Sequence, residues 1–240
     1  MKFKIEENAF DTGVIAPRVG NLLLENYKFL KKDDEKEIVD FAKRNNYNLI
    51  LLNSNEPIDL SSFLHVGTIY EVEASINDVW KNLENIPVLF KTKELSGADW
   101  TQVEELLDIY PPNRYSKDPK LTKEKVLTHK SLILKHLAKN FPKYSLGLFS
   151  KESELVGFHF SRAVDSDLLF LQELLVSPKY RVGFASLQLV KDNLKIIMEN
   201  TSIKSLATRF YNDNSASMSF FTKLGFKKLR KKEYCYHLWL

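Results

Sequence analysis

Residues 168–183 read LLFLQELLVSPKYRVG, and this stretch with the residues after it decides the fold. The run 168–176 is apolar except for Gln172 and Glu173, and Pro178 follows it closely. An apolar run of that length bounded by turn chemistry predicts a strand buried on both faces. A helical pattern starts at once: Phe184, Leu187, Val190, Leu194 and Ile197 recur at spacings of three and four. Gln188, Lys191, Asp192, Lys195 and Glu199 then fall on the polar side. Between strand and helix, a short loop delivers the small residues Gly183 and Ala185 to the helix entrance. The first N–H groups of a helix have no internal partner and sit at the positive end of its dipole. Small residues there let an anion approach closely, so the geometry suits a pyrophosphate. An ordinary strand–helix turn accounts for the same residues.

The segment 173–185, ELLVSPKYRVGFA, resembles the acyl-CoA pyrophosphate loop of the GCN5-related N-acetyltransferase (GNAT) superfamily. The pattern there is Gln or Arg, two residues, Gly, one residue, then Gly or Ala. Gly183 and Ala185 match it, Tyr180 stands where Gln or Arg is usual, and Arg181 lies one place along. Downstream, IKSLATRFY (203–211) reads as another strand, and NSASMSFFTKLGF (214–226) resembles the superfamily's closing segment. Asn214 is a good N-cap and Gly225 a good helix stop, so local structure also explains both. The two segments occur in the order and at the separation the superfamily requires.

The resemblance implies an α/β (α+β) fold: a mixed, mainly antiparallel sheet flanked by helices, with a smaller N-terminal α/β layer. It implies direct transfer of an acetyl group from acetyl-CoA to an amine in a ternary complex, with no metal. Leu175, Val176, Tyr180, Arg181, Val182, Gly183, Phe184, Ala185, Asn214 and Phe221 would line the cofactor site. A backbone N–H near Leu175 or Val176, freed where two strands splay, would hold the oxyanion. Glu173 is the candidate base, acting through water; its other readings are a solvent-facing carboxylate or a pair with Arg209. The sequence departs from the family at the general acid. Phe221 stands where Tyr is common and has no proton to give, which leaves Tyr211, Ser219 or water.

A weaker resemblance covers nearly the whole chain. Residues 11–52 and NRYSKDP (113–119) are similar to acetyltransferases that modify the amino group of a nucleotide-linked deoxyamino sugar, the TDP-fucosamine type. Arg114, Tyr115, Asp118 and Pro119 carry that similarity, and Arg114 and Tyr115 would then bind the acceptor. A surface loop with a capping Asp118 is the plainer reading. An acyl-CoA-binding module without turnover, and an enzyme with another amine acceptor, both remain open.

Composition bounds the rest. The 240 residues suffice for a proper core, and 44% hydrophobic with 28% charged residues describes an ordinary globular chain. A net charge of +4 argues little for nucleic acid. Cys235 is the single cysteine, so no internal disulfide forms and a reducing, cytoplasmic setting is expected. No apolar stretch approaches a membrane span, and residues 1–11 lack a signal peptide's apolar core. No histidine falls in a metal-binding spacing. His159 reads as a core or edge histidine, and the basic run from Lys227 to Lys232 as a solvated face or a site for the 3′-phosphate of CoA. Beyond a small-molecule acceptor, no nucleic acid or membrane partner is indicated, and a homodimer stays open.

Taken in order, residues 1–85 read as an N-terminal α/β domain and 86–240 as the acyltransferase domain. In the first, a strand at 20–24, a helix capped by Asp33 and a strand at 47–52 imply a parallel crossover. TIYEVEA (68–74) alternates like a half-buried strand. In the second, the pattern predicts a strand at 88–95, helices at 99–110 and 123–140, and a hairpin of strands 144–150 and 155–163. The strand and helix read above follow, then the strand and helix of the closing segment, and a last strand at 226–240.

Overall fold

The computed structural model describes residues 3–24, 32–181 and 183–240. The decisive stretch is a strand, β8 (Leu168–Val176), followed by the helix α5 (Ala185–Asn200) and a parallel partner, β9 (Ser205–Tyr211). Both faces of β8 are covered. Leu169 and Leu171 pack with Val190, Leu194 and Ile197 of α5, and with Phe221 and Leu224 of α6 (Ser215–Leu224). On the opposite face, Leu175 joins Phe158 and Phe160 of β7 (Leu155–Ala163) against α3 (Trp100–Leu107) and α4 (Lys123–Asn140). Each fully buried Leu or Phe contributes about 1.5–3 kcal/mol, so these two clusters hold helices on both sides of one sheet.

The remaining strands are β1 (Phe3–Glu7), β2 (Val19–Leu24), β3 (Leu49–Ser54), β4 (Leu64–Ser75, followed by the short helix α2, Ile76–Lys81), β5 (Lys91–Glu94), β6 (Ser145–Phe149) and β10 (Lys228–Trp239). They form a ten-stranded sheet in the order β1-β2-β3-β10-β4-β9-β8-β7-β6-β5. Only β2–β3 and β8–β9 pair in parallel, and each pair is bridged by a helix, α1 (Lys32–Arg44) and α5. β10 lies between β3 and β4, so the last strand of the chain joins strands from its first 85 residues into the common sheet. Tyr236 and Leu238 of β10 share a cluster with Leu22, Ile38, Ile50 and Leu52.

Four local expectations change. The strand predicted at 88–95 shortens to Lys91–Glu94, because the Gln188 side chain serves the backbone before it. Gln188 Oε1 accepts from Leu89 N (2.9 Å) and Phe90 N (3.2 Å), and its Nε2 donates to Phe90 O (2.8 Å). For the same reason Gln188, assigned to the polar face of α5, is fully buried, while Phe184 is 42% exposed. β4 is buried from Val66 through most of its length, being a central strand between β10 and β9 rather than a half-covered one. Asp33 lies inside α1 and contributes its charge to the first turn with Asp34 and Glu35, where the helix dipole favours it.

Candidate functional site

β8 and β9 stay paired for only four residues, Leu168↔Ser205 through Leu171↔Thr208. Past Thr208, β9 keeps β4 as its partner, with Arg209 opposite Glu71 and Tyr211 opposite Ile69. Past Leu171, β8 keeps β7, with Glu173 opposite Phe160 and Val176 opposite Gly157. A register shift in the β7 pairing skips Gln172, and such a bulge bends its strand away from its neighbour. The strands therefore diverge, and from Gln172 to Val176 the edge of β8 that faced β9 has no strand of the described residues beside it. The gap opens into a cleft of about 830 Å³ lined by residues from both sides of the sheet.

On the α5 side the cleft meets the loop after β8. Tyr180 N donates to Ser177 O (2.9 Å) and Arg181 N to Pro178 O (3.3 Å), so these two amides close a tight turn inside the protein. Val182 lies outside the described residues. Gly183 has φ +140, and a Cβ there would meet nothing within 4 Å. Among the described residues no side chain caps α5, whose hydrogen bonding begins with Gln188 N to Phe184 O at 2.7 Å. The free amides of this corner thus start at the helix turn itself, and Ser186 in that turn lines the cleft. Ala185 is 1% exposed, small because it packs against the sheet. Tyr180 turns away: its hydroxyl donates to Glu154 Oε2 at 2.9 Å and its ring meets Phe90 edge-on. Arg181 faces the cleft and donates from Nε to Val176 O at 3.0 Å.

On the α4 side stands Glu173, neither solvent-facing nor paired with Arg209. Lys130 Nζ donates to Glu173 Oε1 at 2.6 Å, and Tyr110 Oη donates to Oε2. Lys130 also lies 4.3 Å from the centre of the Tyr110 ring. Burial, reinforced by the Glu173 charge, holds the Tyr110 phenol well above its ordinary pKa, so it remains a donor. Arg209 is committed to Glu71 at 2.7 Å. Sequence reasoning missed Lys130 and Tyr110. The signal for Lys130 was a cation within the stripe Val126, Lys130, Leu134, Leu137, all buried on α4. Tyr110 follows α3 and carries no comparable pattern.

The loop 113–119 proves to be a fastening with one free hand. Asp118 is 1% exposed and accepts from His237 Nδ1 (2.6 Å), Trp239 Nε1 (2.7 Å) and Lys120 N (2.9 Å), tying the loop to β10. Tyr115 Oη donates to Asp11 Oδ2 at 2.6 Å, and Asp11 also holds His129 Nε2 at 2.5 Å. Arg114 lines the cleft, with Nη2 donating to Tyr115 Oη (2.7 Å) and Nη1 to Asn53 Oδ1 (3.4 Å). Tyr211 lines the same wall, and burial pushes its phenol up to about 12.

The remaining candidates divide. Asn214 caps α6, its Oδ1 accepting from Ser217 N at 3.0 Å, and lines the cleft. Phe221 also lines it, but is 6% exposed and packs edge-on against Phe220 and Phe226. His159 is fully buried, with neither ring nitrogen hydrogen-bonded, and burial drops its pKa to about 3. The basic run is largely paired within the protein: Lys228 and Arg230 with Glu73, Arg230 also with Glu71, and Lys231 with Glu233. Among the described residues no cluster of His, Cys, Asp and Glu has the makings of a metal site, and no helix is long and apolar enough to cross a membrane.

No family model matches the sequence, and no curated protein does. Solved structures do. A tandem GNAT protein from the clavulanic acid biosynthesis pathway aligns with a TM-score of 0.62 at 9% identity, over 91% of this chain and 74% of its own. A GCN5-related N-acetyltransferase from Sphaerobacter thermophilus aligns at 0.58 and 9% identity, over 98% and 75%. Saccharomyces cerevisiae N-myristoyltransferase, solved with bound myristoyl-CoA, aligns at 0.51 and 16% identity, over 98% and 62%. At these identities the likeness is one of architecture, and it agrees with the splayed strands and the uncapped helix beside them. The chain has the GNAT fold.

Proposed function

We propose that the protein is an acyl-CoA-dependent N-acyltransferase that moves an acetyl group from acetyl-CoA to a primary amine by direct transfer. The observation that carries this reading is the unpaired edge of β8 running straight to the uncapped start of α5. An extended arm bearing amides can add to such an edge as a strand would. Its diphosphate would then reach the amides from Gly183 onward, with Arg181 beside them. The acceptor amine would enter from the α4 side, toward Glu173.

Glu173 takes the proton that the amine nitrogen loses as it bonds to the thioester carbon, directly or through a water. Tyr110 and Lys130 fix the orientation of its carboxylate. Amides of the open β8 edge, at Leu175 or Val176, face the oxygen on which charge gathers. Tyr211 serves better as a hydrogen-bond donor than as an acid. With its pKa at about 12 it holds its proton against a departing thiolate whose own pKa is about 8.5 by analogy with Cys. The sulfur leaves as thiolate and takes its proton from water.

A nucleotide-linked amino sugar is one acceptor compatible with Arg114 on the cleft wall; Tyr115 and Asp118, which shared in that similarity, have structural partners inside the protein. Phe221 favours a second reading, an acyl-CoA-binding module without turnover. Incubation with acetyl-CoA and a panel of amines, amino-sugar nucleotides included, separates the two. Release of free thiol supports the transferase; tight binding by calorimetry with no thiol released leaves the module.

A further inference from the structure

We infer that the acceptor carries an oxyanion, a carboxylate or a phosphate, which pairs with Arg114; this rests on the transferase reading and names its substrate class. Four Lys and Arg side chains line the cleft: Arg114, Lys130, Arg181 and Arg209. Two are neutralised inside the protein, Lys130 by Glu173 at 2.6 Å and Arg209 by Glu71 at 2.7 Å. Nearby Lys117 is likewise held by Asp213 at 2.6 Å. Among the described residues, Arg181 and Arg114 have no such partner. Arg181 stands at the start of α5, where the diphosphate is placed, whereas Arg114 stands on the far wall among acceptor-side residues.

Arg114 is half-buried, and the groups its guanidinium touches are neutral: Asn53 Oδ1, Tyr115 Oη and the Cys235 thiol. No carboxylate oxygen of a described residue lies within 4.0 Å of it. Asp11 attracts it at longer range and shares the Tyr115 hydroxyl with it, but the Asp11 oxygens are taken by His129, Tyr115 and Asn8. A guanidinium offers five N–H donors in a planar fork, and here two of them go to weakly charged oxygens. With no described carboxylate in contact, the fork keeps donors for a ligand that brings a full negative charge. The fork is also pre-set. Asn113 Oδ1 accepts from Tyr115 N (2.8 Å) and Ser116 N (3.2 Å), and Asp118 anchors the far end of the loop to β10. A bidentate oxyanion fits such a fork, and its negative charge distinguishes it from the neutral amines the cleft could otherwise admit.

The test reads Arg114 itself in the full-length protein, by the ¹⁵N resonance of its Nε–H group, assigned by its absence in Arg114→Gln. The probes are inorganic phosphate, and glycine against glycinamide, each titrated with and without CoA present. A saturable shift with phosphate, or with glycine at about tenfold lower concentration than glycinamide, is expected and tells phosphate from carboxylate. With CoA filling the site at α5, Arg114→Lys should bind the same probe more weakly in calorimetry, and Arg114→Gln not at all. If neither anion moves the resonance, or if Arg114→Gln, folded by its melting curve, binds them as wild type does, the inference is overturned. Thiol release is scored separately: anion binding at Arg114 with no thiol released from any amine would sink the transferase reading and leave the anion site standing.

Discussion

Lys130 Nζ and Glu173 Oε1 are 2.6 Å apart beneath the open edge of β8, and each residue is 8% exposed. A pair this dry depends on both members. Lys130→Met leaves the Glu173 carboxylate buried without its counter-charge, at an expected cost of about 3–5 kcal/mol. Lys130→Met with Glu173→Gln removes both charges and should recover much of the loss. Urea denaturation of the two single variants and the double gives the coupling. Additive losses would mean that water already screens the pair.

Tyr211 tests the proton accounting. With its phenol at about 12, it donates a hydrogen bond but does not deliver its proton to a thiolate. Tyr211→Phe should therefore lower kcat by about tenfold or less, well short of the 10²–10⁴-fold that a lost general acid costs. Glu173→Gln should fall in that larger range. A steady-state comparison decides, and a Tyr211→Phe loss as large as that of Glu173→Gln would restore the tyrosine as acid.

How much of this could be read from residues alone follows from range. β8, α5 and the α6 cap were legible because their signals are local: an apolar run, a 3.6-residue period, an Asn three residues before the amide it holds. Glu173 stood out as a carboxylate in an apolar strand, yet its partners come from sites 43 and 63 residues away, which no spacing rule reaches. Gln188 was misassigned for a related reason, since its amide satisfies backbone about 100 residues earlier. The loop 113–119 admitted both a ligand reading and a plainer structural one because residues that recognise a sugar and residues that tie a loop to a strand are the same polar types. Only the donors that Asp118 accepts from and the acceptor of Tyr115 distinguish the uses.

His159 gives a pH signature. Buried without a hydrogen-bond partner, its folded pKa is about 3, against about 6.5 when unfolded. Between those values the unfolded chain binds the proton and the folded one does not, so stability rises with pH across this window and is lost as pH falls. One such group contributes a slope of about 1.4 kcal/mol per pH unit. His237, also buried and lowered to about 4, acts in the same direction. Urea midpoints measured between pH 4 and 6 should show the combined slope, and His159→Leu should shed one proton's share of it. A variant with an unchanged slope would place a proton on the native His159.

Gly183 is the sharpest single site for the cofactor assignment. Its φ of +140 is reached without strain only by glycine, and the space where a Cβ would stand is empty. Gly183→Val should therefore act on two counts. The backbone would leave this conformation, at a cost of about 1–2 kcal/mol. A side chain would also fill the approach to the amides of the first turn of α5. Calorimetry with CoA should show affinity falling tenfold or more, with Gly183→Ala intermediate, while a melting curve records the structural cost separately. Unchanged CoA affinity in a folded Gly183→Val protein would move the diphosphate away from α5. The unpaired edge of β8 would then need another occupant.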